Sequence, residues 1–196
     1  MQTQKLIDLA TANAGCVSAT QTKDAGIASG IVHYAHKTGK IKRIARGLYA
    51  LPDTCGDDFF AAQNQFKRGI FCGICALYLW QLTDRTPLTM EMTFPAGYNV
   101  GAAIRNGIKT HSAIPPLYQA GISQCTTPGG LPVRVYSPER TLCDLLRIQM
   151  HYDQEIVSSA FKMYAARPGK DLSALAKFGR LLSVEAKLRN YMEVLL

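Results

Sequence analysis

The sequence predicts an α+β protein: an N-terminal winged helix-turn-helix followed by a mixed α+β C-terminal domain, which combines a small sheet with a helical half. Three observations support this class. Three helical patterns precede a short basic hairpin in the first 52 residues, positive charge is concentrated in the same segment, and residues 57–196 pass from strand patterns to helical ones. A hydrophobic content of 47% is sufficient for a packed core.

The N-terminal segment has the element order of a winged helix-turn-helix. Apolar residues recur at helical spacing in three stretches, and Gly26 and Gly39 follow the second and third of them. Alternating polar and apolar residues then predict a hairpin with Gly47 at its turn. The predicted elements are a helix over residues 2–13, a short edge strand at Val17, a helix capped by Ser18 or Thr20, a helix over residues 27–38, and strands over residues 40–45 and 48–51.

Positive charge is concentrated in this segment. The chain carries 22 Lys and Arg against 14 Asp and Glu, a net charge of +8 with a pI near 9.3. Residues 1–52 hold seven Lys and Arg against two Asp, a balance of +5, and the other 144 residues contribute only +3. Five cations lie between Lys37 and Arg46 with no carboxylate among them. A one-signed run in an ordered segment favours a polyanionic partner.

The predicted partner is double-stranded DNA. Ser29, His33 and His36 share a face of the third predicted helix, so their small polar groups could enter the major groove. The cations of the hairpin would contact phosphates. The alternatives are a solvated basic hairpin without function and ordinary surface roles for both histidines. The candidate DNA-binding residues are Ser29, His33, His36, Lys37, Lys40, Lys42, Arg43 and Arg46.

An acidic, polar break at residues 53–58 predicts a hinge between two domains, at residues 1–55 and 57–196. Beyond it, strand patterns surround an apolar helix, and a Ser-Pro-Glu sequence at residues 137–139 predicts the start of the helical half. The predicted helices cover residues 58–67, 73–82, 137 onward, 153–166, 171–182 and 183–195, and the predicted strands cover residues 70–71, 88–94, 108–111, 122–126 and 133–136.

The sequence predicts neither a metal site nor a cofactor. It contains no phosphate-binding glycine loop, zinc-protease motif or nucleophile elbow. The six cysteines are scattered, and the Cys72–Cys75 pair lacks a second ligand pair, so small buried residues at a helix start are favoured over a zinc or redox role. Because no signal peptide and no apolar run of about 18 residues is found, a cytoplasmic protein without membrane contact is expected.

Charged residues of the otherwise apolar second region form two short motifs. Asp84 and Arg85 lie in LTDRTP, and Glu139, Arg140 and Asp144 lie in PERTLCD. Arg140 and Asp144 are four residues apart, so on a helix they can pair with each other. Structural ion pairs and a functional surface are both open interpretations, and the spacing alone identifies no catalytic site.

Five stretches occur in an order that resembles the AbiEi family, the antitoxins of bicistronic type IV toxin–antitoxin and phage abortive-infection systems of bacteria. They are GKIKRIARGLYALP, CALYLWQLTDRTPL, PAGYN, YSPERTLCDLLR and KLRNYMEVLL, and they span nearly the whole chain. The R-G-x-Y wing and the E-R-T-x-x-D helix are the most specific of these motifs. The resemblance implies a winged helix that binds an operator inverted repeat and represses its own operon. It also implies a C-terminal domain that neutralises a nucleotidyltransferase-like toxin, with no stable complex required.

The resemblance carries over residue by residue. In the wing it covers Lys40, Lys42, Arg43, Arg46, Gly47 and Tyr49, and in the antitoxin domain it covers Asp84, Arg85, Glu139, Arg140 and Asp144. Two departures stand out. Ala28-Ser29 replaces the Ser-Arg with which relatives commonly begin the third helix, and Cys72 and Cys75 replace a Ser-x-x-Thr/Ser pattern.

Two other functions stay open. One is an enzyme that modifies the toxin or its target, for instance by phosphoryl transfer. The other is a plain transcriptional regulator whose second domain senses a ligand or dimerises. Because no phosphate loop and no other catalytic motif is recognisable, the expectation is that the protein is not an enzyme.

Overall fold

The computed structural model describes residues 2–54, 57–147 and 151–195, with side chains described as far as Glu193. The chain divides into two compact units. The first unit is Met1–Lys67 with Thr126–Val133, and the second is Arg68–Cys125 with Arg134–Leu196. Residues 55 and 56 of the predicted break, and with them Cys55, lie outside the described residues.

The first unit contains a winged helix-turn-helix, as predicted. Its strands form a three-stranded antiparallel sheet of order β1-β3-β2, in which Tyr49 lies opposite both Val17 and Arg43. The core comprises Leu6, Ala10, Val17, Ile27, Val32, Ala35 and Ile41. The elements are α1 (Gln2–Ala12), β1 (Cys16–Ser18), α2 (Ala19–Asp24), α3 (Ser29–Lys37), β2 (Lys42–Ala45), β3 (Leu48–Ala50) and α4 (Asp58–Gln65).

Local chemistry explains where these elements begin and end. Ser18 and Gln21 form a capping box at the start of α2, in which each side chain binds the other residue's backbone N–H. The third helix is shorter than predicted and starts at Ser29. Ile27 precedes it and is only 4% exposed, because its side chain packs in the core. Gly39, with φ +75°, follows the end of α3 in the left-handed conformation that favours glycine.

The first unit includes residues that the sequence assigns elsewhere. Asp57 caps α4 by accepting a hydrogen bond from Phe60 N at 2.9 Å, and its other carboxylate oxygen accepts from Thr127 Oγ1. Leu131 is 2% exposed and packs with Cys16 and Ala50 of the wing sheet. The predicted hinge, residues 53–58, therefore contains the buried, hydrogen-bonded Asp57, and the predicted boundary at residues 55–57 lies inside the first unit.

The second unit is built on a five-stranded mixed sheet of order β6-β5-β4-β8-β7. The pairs β4–β8 and β5–β6 are parallel, whereas β4–β5 is antiparallel. Two short helices, α6 and α7, were not predicted. The elements are β4 (Ile70–Phe71), α5 (Gly73–Leu79), β5 (Glu91–Pro95), α6 (Gly101–Arg105), β6 (Lys109–Ala113), α7 (Pro115–Gln119), β7 (Ile122–Thr126), β8 (Pro132–Tyr136), α8 (Pro138–Leu145), α9 (Gln154–Ala165), α10 (Leu172–Leu181) and α11 (Glu185–Leu195).

A helical core stabilises the second unit, and the α+β class predicted for the chain is confirmed. Leu142 and Leu145 of α8 pack with Phe161 of α9, Leu175 of α10 and Leu188 of α11, and all five are at most 5% exposed. Ser137 caps α8 by accepting from Arg140 N, with Pro138 in the first turn as predicted. Among the described residues, no helix is long and apolar enough to cross a membrane.

Candidate functional site

The predicted DNA-contacting residues lie on one continuous stretch of the first unit, from the start of α3 to the turn of the wing. Every one of them is exposed. Within the described part of the chain, none of them forms an ion pair with a carboxylate. The positive charge of the run is therefore not neutralised internally. These assignments stay predictions, since exposure shows accessibility and not contact.

Three of the predicted residues are held by the backbone of the wing. Lys42 Nζ donates to Pro52 O at 2.9 Å, and Arg43 Nε donates to Ala45 O at 3.2 Å. His36 Nδ1 lies 3.4 Å from Ile41 O, and its ring meets Tyr49 edge-on at 6.0 Å between centroids. His36 thus connects the end of α3 to the wing, so His33 is the better candidate for a base contact.

A cation missed by the sequence analysis lies on the same side. Lys23 and Ser29 line a groove of about 520 Å³, with Tyr49 of the return strand and Thr22 of α2. Lys23 is exposed and belongs to the last turn of α2, the helix that precedes the predicted recognition helix. Its position two residues before the turn that separates α2 from α3 is the signal that could have identified it.

Two of the five residues predicted for the antitoxin surface are buried. Arg140 and Asp144 are 1% and 4% exposed and form an ion pair of 2.8 Å from Nε to Oδ2. Arg140 Nη1 also donates to Leu117 O and Ala120 O, and its guanidinium lies 4.6 Å from the centroid of the Tyr136 ring. These contacts anchor α8 inside the second unit, and the ion pair has the four-residue spacing from which it was predicted.

The other three residues of that set have different partners. Arg85 pairs with Glu155 at 2.9 Å, and both side chains are largely exposed. Glu139 accepts a hydrogen bond from Tyr164 Oη at 2.9 Å, whereas Asp84 is exposed. Among the five, a direct contact joins only Arg140 and Asp144 in the described part of the chain. Asp84, Arg85 and Glu139 are the members of the set that solvent can reach.

A buried carboxylate, Glu91, lies at the centre of the second unit and was not predicted from the sequence. Glu91 of β5 is 1% exposed and accepts four hydrogen bonds or ion-pair contacts. Tyr152 Oη and Ile74 N donate to Oε2 at 2.6 and 3.1 Å, while His111 Nε2 and Lys109 Nζ lie 2.9 and 2.5 Å from Oε1. A buried charge needs this number of donors, because its desolvation is otherwise prohibitive.

These contacts shift the pKa values of the cluster. Burial alone would raise the pKa of Glu91, but the hydrogen bonds from His111, Lys109 and Tyr152 outweigh it and lower the pKa to about 2. Burial, followed by the charge of Glu91, raises the pKa of the Tyr152 hydroxyl far above its ordinary value. Glu91 is therefore a permanent anion at neutral pH, and Tyr152 is a permanent donor to it.

The Cys72-Gly-Ile-Cys75 motif serves this cluster. Glu91 N donates to Cys75 Sγ at 3.2 Å, and burial raises the pKa of the Cys75 thiol to about 12. Both cysteines are free and buried, and no group of metal-ligating residues occurs among the residues that the structure describes. Gly73 lies between them. Its φ of +54° favours glycine, and a side chain there would overlap Tyr152 Oη and Glu91 Oε2. The motif is a packing arrangement around a carboxylate.

We expect Glu91→Gln to destabilise the protein by about 3 kcal/mol at pH 7, with the loss shrinking in acid. The folded pKa of about 2 is below the ordinary 4.5, so the stabilisation is present above pH 4.5 and is lost as pH falls toward 2. Denaturant midpoints measured between pH 7 and 2 should therefore converge for the variant and the wild type. The exposed Glu193→Gln is the control and should leave the pH dependence unchanged. If the denaturant midpoints of the variant and the wild type differ by the same amount at all pH values, the lowered pKa of Glu91 is contradicted.

Comparisons with known proteins agree with this architecture. Residues 4–52 match the family model described as "Transcriptional regulator, AbiEi antitoxin", so the predicted resemblance is confirmed for the segment that contains the winged helix. The chain is similar to the RV2827C protein from Mycobacterium tuberculosis, with a TM-score of 0.51, 12% identity, and coverage of 98% of this chain and 80% of that one. At this identity the likeness concerns the fold alone. The search of curated proteins gave no match.

Proposed function

We propose that the protein is an autorepressing antitoxin of a type IV toxin–antitoxin system with a role in abortive infection. In this proposal the winged helix of the first unit binds inverted repeats in the operator of its own operon, as two copies. The second unit counteracts a cognate nucleotidyltransferase-like toxin, acts by binding and not by catalysis, and requires no stable complex. Both activities take place in the cytoplasm.

One observation carries the proposal: the family-matched segment coincides with a winged helix whose basic face is exposed and, among the described residues, forms no ion pair with a carboxylate. The match covers residues 4–52, and the run from Lys37 to Arg46 lies within it. AbiEi relatives commonly have an arginine at the start of the third helix, whereas this chain has Ser29 there. The wing and Lys23 therefore supply most of the positive potential of this face. Phosphate contacts of this kind supply affinity and register, and base contacts from α3 supply specificity.

We expect the triple variant Lys40→Ala, Lys42→Ala and Arg43→Ala to weaken operator binding at all salt concentrations. Each phosphate contact that is lost should reduce the slope of log K against log [salt] by roughly one unit, because fewer counterions are released. Gel shifts with the DNA upstream of the gene, over a series of salt concentrations, measure this slope. Because Lys42 and Arg43 already contact backbone carbonyls, each should contribute less to the change in slope than Lys40 does.

A charge-matched control separates the local effect from net charge. Lys177, Arg180 and Arg189 are exposed cations on helices of the second unit, and their triple alanine variant loses the same three charges. That variant should keep the wild-type slope to within about half a unit. Equal losses in the two variants would mean that binding depends on total charge and would contradict a role for the wing.

The antitoxin half of the proposal is tested in cells. Co-expression with the neighbouring gene should restore growth, and Asp84→Asn, Arg85→Gln and Glu139→Gln are the informative changes because these side chains are reachable from solvent. Arg85 forms an exposed pair with Glu155, so its removal should cost only about 0–1 kcal/mol of stability. Folded variants that fail to protect support a functional surface. If all three variants protect the cells fully, these residues are excluded from the surface that counteracts the toxin.

A further inference from the structure

The first residues of α2 lie at the edge of the predicted DNA-binding face. Ala19, with which this helix begins, lines the same groove as Lys23 and Ser29. Ala19 N also donates to Gly47 O at 2.7 Å, and this hydrogen bond holds the turn of the wing against α2. A duplex that contacts the turn of the wing would therefore pass close to this end of α2.

A lysine from outside the family-matched segment reaches the same point. Lys67 Nζ donates to Thr20 Oγ1 at 3.3 Å, across 47 residues of sequence, and both side chains are exposed. Lys67 follows α4 and belongs to the first unit. The matched segment ends at residue 52, so neither the match nor the charge pattern of residues 1–52 includes this cation.

The contact between Lys67 and Thr20 leaves hydrogen-bond donors free. A lysine ammonium has three N–H donors, and the bond to Thr20 uses one of them. Because the Thr20 hydroxyl accepts that bond, its own O–H can still donate to another acceptor. Among the described residues, Lys67 forms no ion pair with a carboxylate, and Asp24, the one acid of α2, lies four residues beyond Thr20. The charge of Lys67 is therefore not neutralised within that part of the chain.

These groups suit a phosphate oxygen better than the edge of a base. An ammonium on a flexible stem binds phosphate as a point charge, whereas bases are read most selectively by bidentate side chains. Lys67 and Thr20 provide one such charge and one hydroxyl donor. Arg46 adds a second exposed cation in the turn that is hydrogen-bonded to Ala19. The arrangement favours a contact with the DNA backbone beside the wing.

We propose that Lys67 and Thr20 bind a phosphate of the operator backbone, next to the contacts of the wing. This inference rests on the proposed function, since it adds residues to the same DNA-binding face. Lys67 supplies the charge, while Thr20 holds its ammonium group and donates a second hydrogen bond to the phosphate. The DNA-binding surface of this chain then extends beyond residues 4–52 to the end of α4.

Lys67→Gln tests the contact in gel shifts of the full chain, with the DNA upstream of the gene and with an unrelated duplex of equal length. For both duplexes the slope of log K against log [salt] should fall by about 0.9, and affinity at about 0.15 M salt should fall about fivefold, because one phosphate contact releases about one counterion. Lys67→Arg keeps the charge and should keep the slope. Thr20→Val removes only the hydroxyl and should weaken binding about threefold with an unchanged slope.

Arg68→Gln is the matched control. Arg68 is the next residue and is also exposed, but it belongs to the second unit, where its guanidinium lies 5.7 Å from the centroid of the Tyr98 ring. This variant should bind both duplexes as the wild type does. The inference is overturned if Lys67→Gln, folded by circular dichroism, keeps the wild-type slope, or if Arg68→Gln loses as much. A loss confined to the upstream DNA would indicate a base contact and would also overturn it. A wild-type protein that binds neither duplex would instead overturn the proposed function, and this contact with it.

Discussion

Gly73→Ala should destabilise the second unit by about 4 kcal/mol, enough to leave much of the protein unfolded at 37 °C. The added methyl group would overlap Tyr152 Oη and Glu91 Oε2. Both atoms already form hydrogen bonds, since Glu91 Oε2 accepts from Tyr152 Oη at 2.6 Å and from Ile74 N at 3.1 Å. Moving them away breaks hydrogen bonds to a buried charge, at about 1.5–3 kcal/mol each, and an alanine at φ +54° adds about 1–2 kcal/mol.

Gly107→Ala is the matched control for this variant. Gly107 follows α6 in the same unit with φ +74°, and a methyl group there would meet no atom within 4 Å. Gly107→Ala therefore costs only the unfavourable backbone conformation of an alanine at positive φ. We expect it to lower the free energy of unfolding by about 1 kcal/mol. Denaturant unfolding at pH 7 measures both variants. Equal losses would show that conformation and not crowding accounts for Gly73, and would contradict the role of this glycine in seating Glu91.

The first unit was predictable in large part because its signals are local. A capping residue, a helical repeat and a terminal glycine are close together in the chain, and Ser18, Gln21 and Gly39 act as their positions indicate. The basic run is visible for the same reason. What the pattern could not give is the direction of each side chain, and so His36, which contacts the wing, was grouped with His33.

The buried centre of the second unit could not be predicted in the same way. Glu91 lies in LTMEMTF, which alternates as a strand should, but a two-residue period cannot reveal that the carboxylate faces inward. Its partners are 17 to 61 residues away, from Ile74 to Tyr152, so no spacing rule connects them. The available signal was a charged residue between two methionines, together with a glycine at the start of an apolar helix.

Burial of the charged motif of α8 could not be predicted from its spacing. A spacing of four residues predicts the Arg140–Asp144 contact correctly. It says nothing about exposure, and the carbonyl groups of Leu117 and Ala120 that fix Arg140 belong to a distant segment of the chain. The pair lies inside the second unit, where Asp144 also contacts Arg147 at 3.3 Å.

The two compact units divide the chain differently from the two predicted domains. The Pro-Gly-Gly sequence at residues 128–130 predicts only a hairpin turn, yet residues 126–133 belong to the first unit. Thr127 binds the buried Asp57, and a side chain at Gly129 would approach Asp57 Oδ2 to 2.5 Å. Leu131 completes a small apolar cluster with Cys16 and Ala50. A fragment cut at the acidic break would lack all of these contacts.

We therefore expect a fragment of residues 1–67 to be markedly less stable than the winged unit of the whole protein. Without residues 126–133, Cys16 and Ala50 lose the apolar cover of Leu131, and the buried carboxylate of Asp57 loses the donor Thr127. Removal of a buried leucine side chain alone costs about 2–5 kcal/mol. Operator binding by the fragment should weaken in proportion to its unfolded fraction, as measured by gel shift and circular dichroism together.

Leu131→Ala in the full chain isolates the same contact without cutting the backbone. Leu131 is 2% exposed, so hydrogen exchange in residues 2–54 should accelerate by about 30-fold or more, which corresponds to at least 2 kcal/mol. Leu172→Ala, at a 41% exposed position on α10, removes the same atoms from the second unit and should leave that exchange unchanged. If the fragment and Leu131→Ala both retain wild-type protection in residues 2–54, the winged helix is complete without residues 126–133. If both lose it, the turn at residues 128–130 is a structural part of the DNA-binding unit, and separation of the two proposed functions requires that segment to be kept with the N-terminal fragment.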